Sequence, residues 1–110
     1  MINETVKRIE KNIAENETMT GERKNELMSL VGQLKDEINQ LETTHQEAAG
    51  SIASYAESSV REAVRSEPDD LLLKHSLDGL SLSVRRFEVS HPTLIDVINT
   101  IGQVLTGSGI

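Results

Sequence analysis

Apolar residues in this chain recur at intervals of three and four, so every patterned segment reads as helix and none as strand. Ile2, Val6, Ile9 and Ile13 stand four, three and four apart, with Asn3 as N-cap and Glu4 in the first turn. They predict a short amphipathic helix over residues 1–16. It should fade across "ENETMTG", where Asn16, Thr18 and Thr20 bond to nearby backbone in competition with the helix and Gly21 lowers its propensity.

A second, longer pattern begins behind Thr20, an N-cap followed by Glu22. Leu27, Val31, Leu34, Ile38, Leu41, His45, Ala48, Ile52, Tyr55 and Ser59 keep a 4-3-4-3 alternation, the signature of a heptad seam. No proline interrupts it before Pro68. The reading preferred from this pattern is one coiled-coil-like helix over residues 20–66, a rod of about 65 Å at 1.5 Å per residue. Its main rival is a break at 43–50, where "ETTHQ" and Gly50 coincide with a change from Leu and Ile to Ala, Ser and a single Tyr. Gly32 is a second soft point. His45, at a seam position, would fix register or lie half exposed at a kink.

The segment 68–110 reads as two further helices. Pro68 suits a first helical position, and Asp69 and Asp70 complement the positive end of the dipole. Leu73, Leu77, Leu80, Val84 and Phe87 form the next stripe, widened by Leu72 and Leu82. Pro92 lacks a donor and disfavours helix at His91, so this helix should end near Glu88 or Val89. Ser90 or His91 then caps a last helix striped by Leu94, Val97, Ile98, Ile101, Val104 and Leu105, which "TGSGI" ends. The class is all-α, drawn as an elongated helical hairpin or bundle around a long heptad-patterned central helix.

Composition changes that picture in one respect. Phe and Tyr occur once each and Trp is absent, so the core rests on aliphatic side chains and is thin for a monomer of 110 residues. Self-association, most simply a dimer through Leu27, Val31, Leu34, Ile38 and Leu41, would remedy that, and the same seam could meet the helix of another protein. A formal net charge of -7 repels phosphate backbones and anionic head groups, and "KRIEK" and "VRRF" are too short to reverse this, so neither nucleic acid nor a membrane is an expected partner. No stretch approaches a membrane span and no cysteine occurs, which fits a cytoplasmic setting without disulfides or thiolate metal sites.

Candidate chemistry concentrates in "RRFEVSHPTLIDVI". A stop for one helix and a start for the next explain each residue type there: Phe87 closes a stripe, Pro92 stops the helix, and Ser90 or His91 caps its successor. The alternative is a small acid–base or metal-dependent enzyme, or a ligand binder, built on His91 and Glu88, with His75 joining from the preceding helix. Helical zinc sites need two or three ligands at i, i+3 or i+4 spacing, and His45, His75 and His91 are far apart in sequence. No G-x-S-x-G elbow supports a nucleophilic serine, and no helix follows the "GSG" near the end to make it a phosphate loop. No catalytic residue, metal ligand or cofactor is therefore assigned.

The block "FEVSHPTLIDVINTIGQVLTGSGI" resembles a small bacterial family catalogued as domain of unknown function 4404, in which Phe-Glu, two residues and His-Pro precede an apolar helix and a terminal Gly-Ile. "SIASYAESSVREAVR" and "LLLKHSLDGLSLSV" are also similar to its longer members, so the resemblance runs from about Leu27 to the end. It implies that the Phe-Glu-x-x-His-Pro junction is a family feature and transfers no activity, cofactor or partner. The expectation is a helical, self-associating structural or protein-interaction module without catalytic activity.

Overall fold

A computed structural model describes residues 2–107 of the chain, which form five α-helices joined by short connections. The first, α1, is Ile2–Glu15, and buries Ile2, Val6, Ile9 and Ile13 as their spacing predicts. Asn16 ends it and builds the turn that follows: its Oδ1 accepts from the backbone N–H groups of Thr18 (3.1 Å) and Met19 (2.7 Å). Its Nδ2 donates to the Val64 carbonyl (3.2 Å), tying this turn to the far end of α3.

Helix α2, Gly21–Glu42, starts at Thr20, whose hydroxyl accepts from the Arg23 N–H. It stops at Thr43. The Thr43 hydroxyl donates to the Gln40 carbonyl (2.9 Å), the His45 N–H returns to the Leu41 carbonyl (2.8 Å), and His45 leaves helical geometry at φ -138°, ψ 64°. Helix α3, Gln46–Ala63, then runs back along α2. The continuous helix over 20–66 is thus replaced by a hairpin broken at 43–45. A single rod leaves its apolar seam in water, whereas a three-residue reversal lets the chain cover that seam itself. The molecule measures 38 × 24 × 21 Å, with a radius of gyration of 12.9 Å. A compact domain of this length has about 13 Å. The elongated architecture is therefore corrected to a closed bundle.

The break also shifts the buried face. Up to Leu41 the heptad positions lie in the core, but α3 buries Ala49, Ile52, Ala53, Ala56, Ser59 and Val60, leaving Tyr55 at the surface and Ala48 half-buried. His45 belongs to the turn and not to the seam. Helix α4, Asp70–Val84, is capped by Asp69, whose carboxylate accepts from the N–H groups of Leu71 and Leu72. Pro68 lies outside it. One 3-10 turn, Arg85–Phe87, leads to the last helix, α5, Pro92–Thr106, which Gly107 closes at φ 75°, a left-handed conformation natural to glycine. The remainder of "TGSGI" lies outside the described residues.

Successive helices reverse direction. Helices α3 and α4 share the most extensive contact, where Gly79 lies against the Tyr55 ring, and α5 lies on α2. One apolar cluster runs through all five helices and includes Phe87. On the surface, Arg8 of α1 grips Glu57 of α3, Nε to Oε2 at 2.6 Å, a hydrogen bond that with the carboxylate's charge raises the guanidinium pKa above its ordinary value. Among the described residues, no helix is long and apolar enough to cross a membrane.

Candidate functional site

The five seam residues Leu27, Val31, Leu34, Ile38 and Leu41 are all buried, none more than 1% exposed. Helices α1, α3 and α5 surround α2 and consume its apolar face. That face is not available to a second chain, so the interface expected there is corrected: the thin aliphatic core is completed from within the chain, by α1, α3 and α5 together.

At the end of the bundle where α2 and α4 finish and α3 and α5 begin, the two interhelical corners match. His45 is the N-cap residue of α3 and His91 that of α5, with φ/ψ of -138°/64° and -136°/64°. Each ring Nδ1 pairs with the hydroxyl of the preceding residue, Thr44 at 2.8 Å and Ser90 at 2.9 Å. Neither side chain caps its helix by a hydrogen bond. Both rings instead meet Phe87 edge-on, with centroids 5.2 and 5.6 Å away, and the Arg86 guanidinium lies 4.8 Å from the same ring. Phe87 is buried, Ser90 exposed, His91 half-buried, and Pro92 opens α5.

This corner organises two helix starts around one aromatic ring, with Leu94 of α5 buried just behind it. It does not assemble an acid–base pair. The carboxylate of Glu88 is exposed and makes no ion pair with His91, and His75 lies about three helical turns along α4 from Phe87. Among the described residues, no group of three His, Asp or Glu side chains could hold a metal ion. A cleft of 310 Å³ between α1 and the start of α3 is lined by Glu4, Arg8, Glu42 and Gln46, and its one cation is already engaged by Glu57.

The more informative surface is on α4. Leu72 and Leu82, read from sequence as a widening of the core stripe, are instead 45% and 65% exposed, Leu71 is 78% exposed, and Val89 just beyond the helix is 94% exposed. Leu71, His75, Asp78 and Leu82 stand four, three and four apart on the face opposite the buried Leu73, Leu80 and Val84. Helix α4 therefore carries one inward apolar stripe and, on its outer face, two exposed leucines at either end of the polar pair His75 and Asp78. Leu82 tops the ridge between a groove of 450 Å³ beside Tyr55 and Ser51 of α3 and one of 340 Å³ beside Ile95 and Asn99 of α5. Leu71 and Leu82 stand about three turns apart on this face, with the Lys74–Asp78 ion pair (2.9 Å) between them. Leucines at two offsets in one helix were present in the sequence, but they do not say which face turns inward.

The family model described as Domain of unknown function (DUF4404) matches residues 27–110, from the second turn of α2 onward. No curated protein and no solved structure matches the chain.

Proposed function

The chain belongs to the family described as Domain of unknown function (DUF4404), and from that premise we propose a non-catalytic, helical protein-interaction module that docks through the outward face of α4. The observation that carries this reading is the alignment of Leu71 and Leu82 on the side of α4 away from the core. Burying a leucine side chain contributes about 1.5–3 kcal/mol, so two of them held on a folded helix offer a partner helix a substantial driving force. The helix needs no rearrangement to present them, because Leu73, Leu80 and Val84 anchor it from the other side. A cytoplasmic setting goes with this reading, as does the absence of cysteine from a face open to solvent.

Acid–base or metal chemistry at His91 gains no support from the corner, where Ser90 occupies Nδ1 and Phe87 the ring edge. The test is site-specific photo-crosslinking in the native cell. A benzophenone side chain at position 82 should give discrete protein adducts, while the same group at the exposed Gln33 of α2 should not. Equal labelling from both positions would defeat the proposal.

A further inference from the structure

The outward face of α4 is self-complementary when reversed, and we infer that its partner is a second copy of this chain, packed α4 against α4 in antiparallel orientation about a two-fold axis between Ser76 and Leu77. The inference rests on the reading of this face as a docking surface and adds the identity and orientation of what docks there.

Reversal places Leu71 of each copy against Leu82 of the other, and His75 against Asp78. Apolar residues then meet at both ends of the contact, and at its centre His75 twice meets an Asp78 carboxylate whose Oδ2 is also held by Lys74 of its own helix at 2.9 Å. The ends agree as well. Glu67, Asp69 and Asp70 lie at the start of α4, and Arg85 and Arg86 just past its last residue, so the acidic end of one copy meets the basic end of the other. The helix dipoles oppose in the same sense. A parallel pair would set Asp78 against Asp78 and acidic end against acidic end, which like-charge repulsion disfavours. The same face thus satisfies an isologous contact, in which each residue meets its symmetry-related counterpart's partner. An unrelated helix would need an independent match to that order of leucine, histidine, aspartate and leucine.

The test uses the full chain. Sedimentation velocity should show a dimer that dissociates on dilution, and Leu82→Asp should weaken it by at least about tenfold, to the 12.1 kDa species. Position 82 is exposed, and circular dichroism melting should confirm that this variant folds as the wild type does. His75→Asp sets carboxylates opposite each other and should weaken the dimer too, while adding Asp78→His should restore it. Orientation is read from disulfides, which the natural chain cannot form. Mixing Leu71→Cys with Leu82→Cys under mild oxidation should give mainly the mixed 71–82 product. Positions 71 and 82 lie about 16 Å apart along a helix, so like-with-like products require the parallel arrangement. Predominant like-with-like disulfides, a dimer indifferent to Leu82→Asp, or a chain monomeric at about 100 µM, well above the micromolar range of specific weak association, would each overturn the inference. In the last case, adducts from position 82 to a different protein would leave the docking reading standing without it.

Discussion

The ring of Tyr55 on α3 occupies the space that a side chain at Gly79 on α4 would need: a Cβ at Gly79 would stand 2.6 Å from Tyr55 Cδ1. The glycine lets these helices approach closely, and the tyrosine covers the join with a ring that remains 43% exposed. Gly79→Ala gains about 1 kcal/mol of helix propensity but must displace the ring, at a cost of about 1–3 kcal/mol. In wild-type background the change should be neutral to destabilising by about 2 kcal/mol. In a Tyr55→Ala background it should stabilise by up to about 1 kcal/mol. Urea denaturation of the four members of this cycle measures the reversal of sign, and simple additivity would disprove the contact.

Seam and outward-face positions should respond oppositely to truncation. Ile38 is fully buried, so Ile38→Ala should cost about 2–5 kcal/mol, read as a lower urea midpoint. Leu82→Ala, at an exposed position, should stay within about 0.5 kcal/mol for the dissociated chain. If Leu27–Leu41 were an intermolecular seam instead, the cost at Ile38 would depend on protein concentration.

The two corners should report on each other through Phe87. Its ring current reaches both His45 and His91, so Phe87→Leu should move the imidazole proton resonances of both histidines in NMR spectra and leave those of His75 in place. Phe87→Ala should additionally destabilise the protein by about 3–5 kcal/mol, because the ring is buried in the core cluster.

Asn16 joins two connections at the opposite end. Asn16→Ala removes its bonds to Thr18, Met19 and the Val64 carbonyl and should cost about 1–3 kcal/mol. Asn16→Asp keeps the acceptor for the turn but loses the donor to Val64, so its cost should be the smaller of the two. Thermal melts of both variants give the order, and a reversed order would count against the turn's role.

Helix α1 lies outside the family-matched residues 27–110 yet covers α2 and α3 with four buried side chains. Removing residues 1–19 should leave a partly ordered chain that binds hydrophobic dyes and melts without a sharp transition. A cooperative melt near that of the full chain would show that α1 is dispensable.

The helices were legible in the sequence wherever apolar spacing and local end chemistry coincided. Ile2 to Ile13 set α1, Thr20 caps α2 as read, and Pro92 separates α4 from α5, whereas α4 starts two residues after the Pro68 expected to open it, with Asp69 as its cap. The break at 43–45 was legible only as a rival, because Thr43, Thr44 and His45 are compatible with either a helix or a turn until tertiary burial rewards the reversal. Twin histidine corners were not legible at all, since nothing local joins residue 45 to residue 87. The chain by itself determined that it is helical, where α2 and α5 begin, and that its interior is aliphatic. Only the tertiary structure decided that α2 is covered by the chain's own helices, and that the leucines left in water are those of α4. Periodicity identifies a face worth burying; which faces are buried depends on what the rest of the chain can bring against them.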